Sequence, residues 1–297
     1  MTVDARPLID CREPFGNLGA ARRTTAERFG ISWETFPSIR RSVESSGDFV
    51  YMRNLLFRLY WRLEKIFFPK LKYSQYHYYD VLKEAVPANS LWLDLGCGHQ
   101  MFASWMLAEE QELAKRATRL IGVDLDMEGL KKHPTVMGKV FGNLEDLPFA
   151  AGSFNVVTAN MVVEHLSAPE KVLREVFRVL RPGGIFVFHT PNARCVVVRV
   201  SARLPQAVKT LAARVLEGRK AEDVFPTFYR MNTEGAIRQQ MAKTDFQLRQ
   251  LRTISSSAVT AMLGPVAIVE LLYLRLIEAD RYKGLRSNVI VTLQKPG

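Results

Sequence analysis

Cysteine is scarce in this sequence: Cys11, Cys97 and Cys195 are the whole supply. They are too few and too far apart for a disulfide framework or a CxxC metal or redox site, so a reducing, cytoplasmic setting is expected. Long apolar runs are missing too. The longest apolar stretch, within residues 258–277, is interrupted by Gly264-Pro265, Glu270 and Arg275. A membrane span needs about 20 predominantly apolar residues with few charges. The opening residues MTVDARPLIDCRE carry charges and no apolar core, which gives no sign of a secretory leader. Negative charge is also in deficit: 41 Lys and Arg against 30 Asp and Glu leave a net charge of +11. That balance suits nucleic acid, an acidic bilayer or a phosphorylated substrate without choosing among them.

Residues 1–48 are rich in Arg, Ser, Thr and Gly with little periodicity, and read as an irregular extension. Residues 49–86 read as a helical cover. In it Met52, Leu55, Leu56, Leu59, Leu63, Ile66 and Phe67 recur at helical spacing, with Arg53, Arg58, Arg62 and Lys65 between them. Pro69 ends that helix, and the aromatic cluster Tyr73, Tyr76, His77, Tyr78 and Tyr79 opens a shorter one. From residue 87 short apolar runs alternate with helical segments, the pattern of βαβ units on a parallel sheet. Strands are predicted over 91–95, 120–124, 139–141, 154–159, 185–189, 246–251 and 288–293. The helix before the fifth strand is the best marked: Ser167 as cap, Pro169 at the first position, Val172, Leu173, Val176 and Phe177 as the buried face. Arg181-Pro182-Gly183-Gly184 stops it. Residues 194–240 break the rhythm as a basic, helical insert after the fifth strand, and a last helix is expected over about 259–279.

In LWLDLGCGHQ, residues 91–100, an apolar strand runs into Gly96-Cys97-Gly98, with a helix expected just beyond. Glycines there let the backbone approach a ligand closely, and a nucleotide-like cofactor belongs at such a strand end. A nicotinamide dinucleotide would require a third glycine for close helix packing beside its pyrophosphate. Met101 stands at that position, and Asp94 would repel a pyrophosphate but suits an ammonium group. The next strand ends in Gly122-Val123-Asp124, placing a carboxylate for two ribose hydroxyls, which either cofactor class would use. Cys97 reads as a small apolar filler, since no base is placed to activate it.

The ordered pieces LDLGCG, GVDLD, GNLEDLPF, SFNVVTANMVVEHL and EVFRVLRPGGIFVFHTPN extend over residues 91–192. Together they resemble class I S-adenosylmethionine-dependent methyltransferases, and among these the small-molecule enzymes of the ubiquinone and menaquinone type. The resemblance implies an α/β, Rossmann-like, seven-stranded and mostly parallel sheet with helices on both faces over residues 87–297, and S-adenosylmethionine as cofactor. It further implies that Gly96, Cys97 and Gly98 line the methionine part and that Asp94 sits near its amino group. Asp124 would bind the ribose with Leu125 beside it, Asn143 the adenine amine, the Leu144 backbone an adenine nitrogen, and Asn160 the wall near the methyl donor. The sequence departs from the family at Gln100, often glycine, at Asn143, usually Asp, and at Asn155, where FDVV is commoner.

Methyl transfer from a sulfonium is an in-line displacement, so the protein aligns donor and acceptor and excludes water. A hydroxyl acceptor also gains from a base, for which His165, His189 and Glu164 are the candidates. Glu164-His165 is similar to the second half of an ExxEH metal site, but the first Glu is replaced by Met161, a thioether poorly suited to magnesium, so no metal is assigned. Tyr76, His77, Tyr79, Tyr229 and Arg230 are the acceptor-pocket candidates. The place of an Asn-Pro-Pro-aromatic tetrad reads Ala159-Asn160-Met161-Val162, so a nucleic-acid base is not the expected acceptor. The basic cover and insert read either as a lid or as a surface for peripheral contact with an anionic membrane. The reading is O-methylation of a hydroxyl on an apolar, phenolic, quinone or lipid-associated small molecule. An RNA-modifying methyltransferase and a non-catalytic module that keeps the cofactor fold are the alternatives, and the oligomeric state is open.

Overall fold

A computed structural model describes residues 60, 62–69, 71–203, 226–256 and 265–297. The chain divides into two compact units, Met1–Arg58 and Leu59–Gly297. The first unit lies outside the described residues, and with it the expected extension and most of the basic helix. Insert residues 204–225 lie outside them as well.

The second unit runs α1 (Ser74–Ala85), β1 (Ser90–Leu95), α2 (Leu107–Ala114), β2 (Ala117–Asp124), α3 (Met127–Lys132), β3 (Gly138–Phe141) and β4 (Phe154–Asn160). It continues with α4 (Pro169–Val179), β5 (Leu180–Pro191), α5 (Val196–Arg203), α6 (Glu234–Met241), β6 (Gln247–Ile254), α7 (Pro265–Ile277) and β7 (Asn288–Gln294). The seven strands form one sheet in the order β3-β2-β1-β4-β5-β7-β6. Only β7 is antiparallel to its neighbours. The order reverses between β1 and β4, which opens a crevice at the carboxyl ends of those strands.

Alternation along the strands divides the apolar side chains between two cores. Leu93 and Leu95 of β1, Val157 and Ala159 of β4, Phe186 and Phe188 of β5 and Val289 and Val291 of β7 share one core with Val172, Leu173 and Val176 of α4. Trp92, Val156, Val187 and Ile290 point the other way, into a core with Tyr78, Val81 and Leu82 of α1 and Leu113 of α2. Both faces of the sheet are therefore covered, as near-continuous apolar strands require.

Local details differ from the sequence reading. Ala168, not Ser167, occupies the cap of α4, with no side-chain cap hydrogen bond, and Phe177 is half-buried, edge-on against Phe246. The helix after the glycine loop starts only at Leu107, following a single 3-10 turn over Ser104–Met106, so its amino end does not sit on the loop. In the helical residues 62–67, Ile66 is 73% and Phe67 41% exposed. The buried group there is Glu64, which accepts a 2.6 Å hydrogen bond from Tyr60 Oη. Helical periodicity alone cannot say which face meets the core. Among the described residues, no helix is long and apolar enough to cross a membrane.

Candidate functional site

The glycine loop leaves β1 with Gly96 at φ +60° and Gly98 at φ +52°. A Cβ at Gly96 would come within 2.6 Å of Val162 Cγ2, so glycine is required there on both counts, whereas a Cβ at Gly98 would meet open space. Asp124, at the end of β2, braces the loop: its Oδ2 accepts from Gly98 N at 2.7 Å and its Oδ1 from Asp126 N at 2.8 Å. Asp126 in turn caps α3 through Glu128 N. Cys97 is buried beneath the loop, and burial drives its thiol pKa up, which fits a filler and not a nucleophile.

Sequence reasoning missed Glu110 of α2. It is 1% exposed, and its Oε2 accepts from Met101 N at 2.9 Å and Phe102 N at 3.2 Å, holding the far half of the loop. In the sequence it is one acid of a run, AEEQE, that reads as solvated. Glu110→Ala would strand two backbone donors at a cost of about 1–3 kcal/mol. The expected outcome is a lower Tm and weaker cofactor binding together; a variant with unchanged Tm would contradict the bracing role.

Asp94 is 2% exposed and accepts from Thr158 Oγ1 at 2.5 Å, while Thr158 accepts from Trp92 Nε1 at 2.7 Å. Burial holds its carboxyl well above the usual carboxylate range. No cation pairs with it among the described residues, so a ligand ammonium would supply the missing counter-charge.

Asn160, ending β4, is a hub. Its Nδ2 donates to Met101 O at 2.6 Å and to Gln75 Oε1 at 2.8 Å, which leaves Oδ1 to accept from His189 Nδ1 at 2.8 Å. Gln75 of α1 and His189 of β5 thus reach the same amide, a convergence no local spacing could announce. Met161 follows in the left-handed region at φ +58°, strained backbone of the kind found beside ligand sites. His189 is fully buried and stacked on Tyr78 at 5.4 Å, and burial pushes its pKa down to about 3. It is therefore neutral near pH 7 and acts as a hydrogen-bond donor to Asn160. Because its folded pKa lies below the ordinary 6.5, the stability it lends is present above pH 6.5 and is lost as pH falls toward 3. His133, pushed down to about 4 by burial, adds to the same trend. The Tm should fall between pH 6.5 and 4, and His189→Asn should flatten that fall; parallel curves would contradict it.

Glu164 and His165 lie on a 3-10 turn over Val163–His165. Glu164 is 4% exposed and accepts from Thr190 Oγ1 at 2.9 Å, and Thr190 accepts from the buried Asn232 Nδ2 at 2.6 Å. Its backbone carbonyl takes Phe228 N at 2.7 Å and Tyr229 N at 3.2 Å, fastening the chain that returns from the insert. Glu164 is thus placed as a scaffold for the return segment. His165 Nδ1 lies 2.8 Å from Pro226 O; a carbonyl only accepts, so Nδ1 carries a hydrogen. No group of three or more metal-ligating side chains occurs among the described residues.

The remaining candidates divide. Asn143 is exposed and its Oδ1 accepts from Glu145 N at 3.0 Å, which leaves one lone pair for an adenine amine. Leu144 is half-buried, Leu125 is 61% exposed, and Phe141, paired in register with Asp124, is also exposed. Tyr79 turns to α2, with Oη 3.4 Å from Glu112 Oε2 and its ring edge-on to Phe102. Tyr76 is half-buried on α1, and His77 of the same helix faces β6 and α7 along a cavity wall. Tyr229 has φ +51°, and the exposed Arg230 lies over the Phe228 ring at 5.9 Å. The structure therefore brings together Asp94, Gly96, Gly98, Asp124 and Asn160 at the β1–β4 crevice and turns Tyr79 toward α2.

A buried carboxylate without a cation, two left-handed glycines, and an acid flanked by exposed Leu125 and Phe141 together fit an amino-acid-bearing nucleoside, and S-adenosylmethionine is such a molecule. The fold is that of a class I S-adenosylmethionine-dependent methyltransferase. Residues 71–251 match the methyltransferase domain family, and the chain belongs to it. Over 104 residues it is 38% identical to a probable S-adenosylmethionine-dependent methyltransferase of Mycolicibacterium smegmatis, covering 34% of this chain and 37% of that one. It is 32% identical over 129 residues to a fatty-acid O-methyltransferase of the same organism (41% and 45% covered). A ubiquinone biosynthesis O-methyltransferase of Psychrobacter cryohalolentis is 30% identical over 112 residues (34% and 40% covered). The match thus spans 37–45% of the length of these relatives.

Proposed function

We propose that the protein transfers the methyl group of S-adenosylmethionine to the hydroxyl oxygen of an apolar small molecule, of phenolic, quinone or lipid-like type. The observation that carries the donor half is the buried, cation-free Asp94 beside the Gly96–Gly98 turn. The acceptor half is supported by relatives named for O-methylation of fatty acids and in ubiquinone biosynthesis. When bound, the cofactor supplies an electrophilic methyl on a sulfonium. Asp94 and Asp124 fix its two ends, and Asn160, held by Gln75 and His189, forms a rigid wall beside the reacting centre. Holding the reactants in line is the main catalytic contribution and supplies up to about 7–11 kcal/mol. His165 takes the proton of the acceptor hydroxyl, and the bound cofactor would supply the methyl that replaces it. Pro226 O orients its ring, and Glu164 positions the turn that carries it.

The test incubates wild type with methyl-labelled donor and organic-soluble cell extract. A labelled organic-soluble product is expected; label entering only RNA would favour the nucleic-acid alternative and overturn this one. His165→Ala should lower kcat by about 10²–10⁴-fold with cofactor affinity unchanged. Wild-type turnover in that variant would remove the base role.

A further inference from the structure

At the carboxyl end of β6, on the same edge of the sheet as the glycine loop, lies a cavity of about 420 Å³, within the size range of small-molecule sites. One part of its wall is apolar, from Phe67, Phe68 and Leu71. The other part carries Lys72, Arg275 and Arg286 against a single carboxylate, Glu278. Two of the three cations are committed. Lys72 pairs with Asp80 at 3.2 Å, and Arg286 donates to the carbonyls of Thr253, Ile277 and Glu278. Arg275 makes no ion pair among the described residues. Ser255, 6% exposed, lies on the same wall, and its buried Oγ has no hydrogen-bond partner. A buried hydroxyl without a partner is uncommon in native structures and asks for one. His77 also lines the cavity, and burial first, then Lys72, lowers its pKa, so it adds no charge of its own near neutral pH.

We infer that this cavity binds an amphipathic carboxylate, its two oxygens taken by the Arg275 guanidinium and the Ser255 hydroxyl and its apolar body by Phe67, Phe68 and Leu71. One planar guanidinium and one hydroxyl match a monoanionic carboxylate better than a phosphate dianion. Resting on the function proposed above, this molecule is the methyl acceptor, held by its end remote from the reacting hydroxyl. Three strand spacings separate β6 from β4, roughly 14 Å at ~4.8 Å each, which sets the reach required of that molecule.

The experiment titrates the full chain with dodecanoate, dodecanol and dodecyl phosphate, and separately with S-adenosylhomocysteine. Dodecanoate should bind one per chain, with dodecanol and dodecyl phosphate at least about tenfold weaker. Ser255→Ala removes only an unpartnered hydroxyl, so it should fold as wild type and weaken dodecanoate about tenfold, as should Arg275→Gln. Dodecanoate affinity unchanged in both variants overturns the inference. So does tighter binding of dodecyl phosphate, or binding to phosphatidylglycerol vesicles without binding of free dodecanoate. Binding of S-adenosylhomocysteine without dodecanoate defeats this inference alone; dodecanoate without S-adenosylhomocysteine defeats the proposed function alone.

Discussion

Asp94→Asn is expected to weaken cofactor binding while making the cofactor-free protein more stable at neutral pH. Asparagine keeps an oxygen for the Thr158 hydroxyl and fills the same space, so the buried Trp92–Thr158 chain survives. What is lost is the negative charge that a ligand ammonium would meet. A charge-assisted hydrogen bond in such a site contributes about 1.5–3 kcal/mol, so affinity for S-adenosylhomocysteine should fall roughly 10–100-fold. The stability effect has the opposite sign. Burial raises the folded pKa of Asp94 above its unfolded value. Its contribution is therefore most favourable below the ordinary carboxylate pKa and is lost as pH rises through the raised folded value. Asparagine has no such loss, so the variant's advantage in Tm should grow as pH rises above the ordinary carboxylate range. For the same reason ligand binding to wild type should release a proton where the free carboxyl is still protonated. Calorimetry in buffers of different ionisation enthalpy reads that release directly. A variant that binds within threefold of wild type, or whose advantage in Tm shrinks as pH rises, contradicts this role for Asp94.

Asp124→Ala should act on both structure and ligand. Its two carboxylate oxygens hold Gly98 N and Asp126 N, so truncation frees the middle of the glycine loop and the turn leading into α3. Two backbone bonds to a charged acceptor are worth about 1.5–3 kcal/mol each, some of which water recovers at a half-exposed position. A Tm lowered by a few degrees is expected, with cofactor affinity down at least about 100-fold on the reading that Asp124 also holds the ribose. Asp124→Asn, which retains one acceptor of the two, should restore at most about half of the lost Tm and little of the affinity. If the affinity followed the Tm and returned with asparagine, Asp124 would be a structural brace and not a ribose ligand.

The sheet was legible because each buried parallel strand writes itself as an apolar run: 91–95, 154–159 and 288–293 were each recovered within two residues of β1, β4 and β7. Asp94, Gly96, Gly98 and Asp124 stand out as candidates in the sequence because they are local, lying at strand ends where backbone geometry dictates residue type. The hub around Asn160 was not, since Gln75 and His189 come from distant elements and neither stands in a distinctive pattern. Glu110 was hidden for another reason: a buried carboxylate that holds loop amides has the same one-letter signature as a solvated acid on a helix. Helix faces were the weakest point. Ile66 fits a buried stripe by period and is exposed, while Glu64 in the same turn is buried with Tyr60. Period 3.6 says that one side differs from the other and leaves open which side the core takes. The same limit applies to Ile268, Val269, Leu272 and Leu276, exposed along one side of α7.

The central claim is that the crevice between β1 and β4 holds an amino-acid-bearing nucleoside through Asp94, the Gly96–Gly98 turn and Asp124. Calorimetric titration of the wild-type chain with S-adenosylhomocysteine tests it most directly. One saturable site per chain is the predicted result; no binding under conditions where the protein is folded would contradict it.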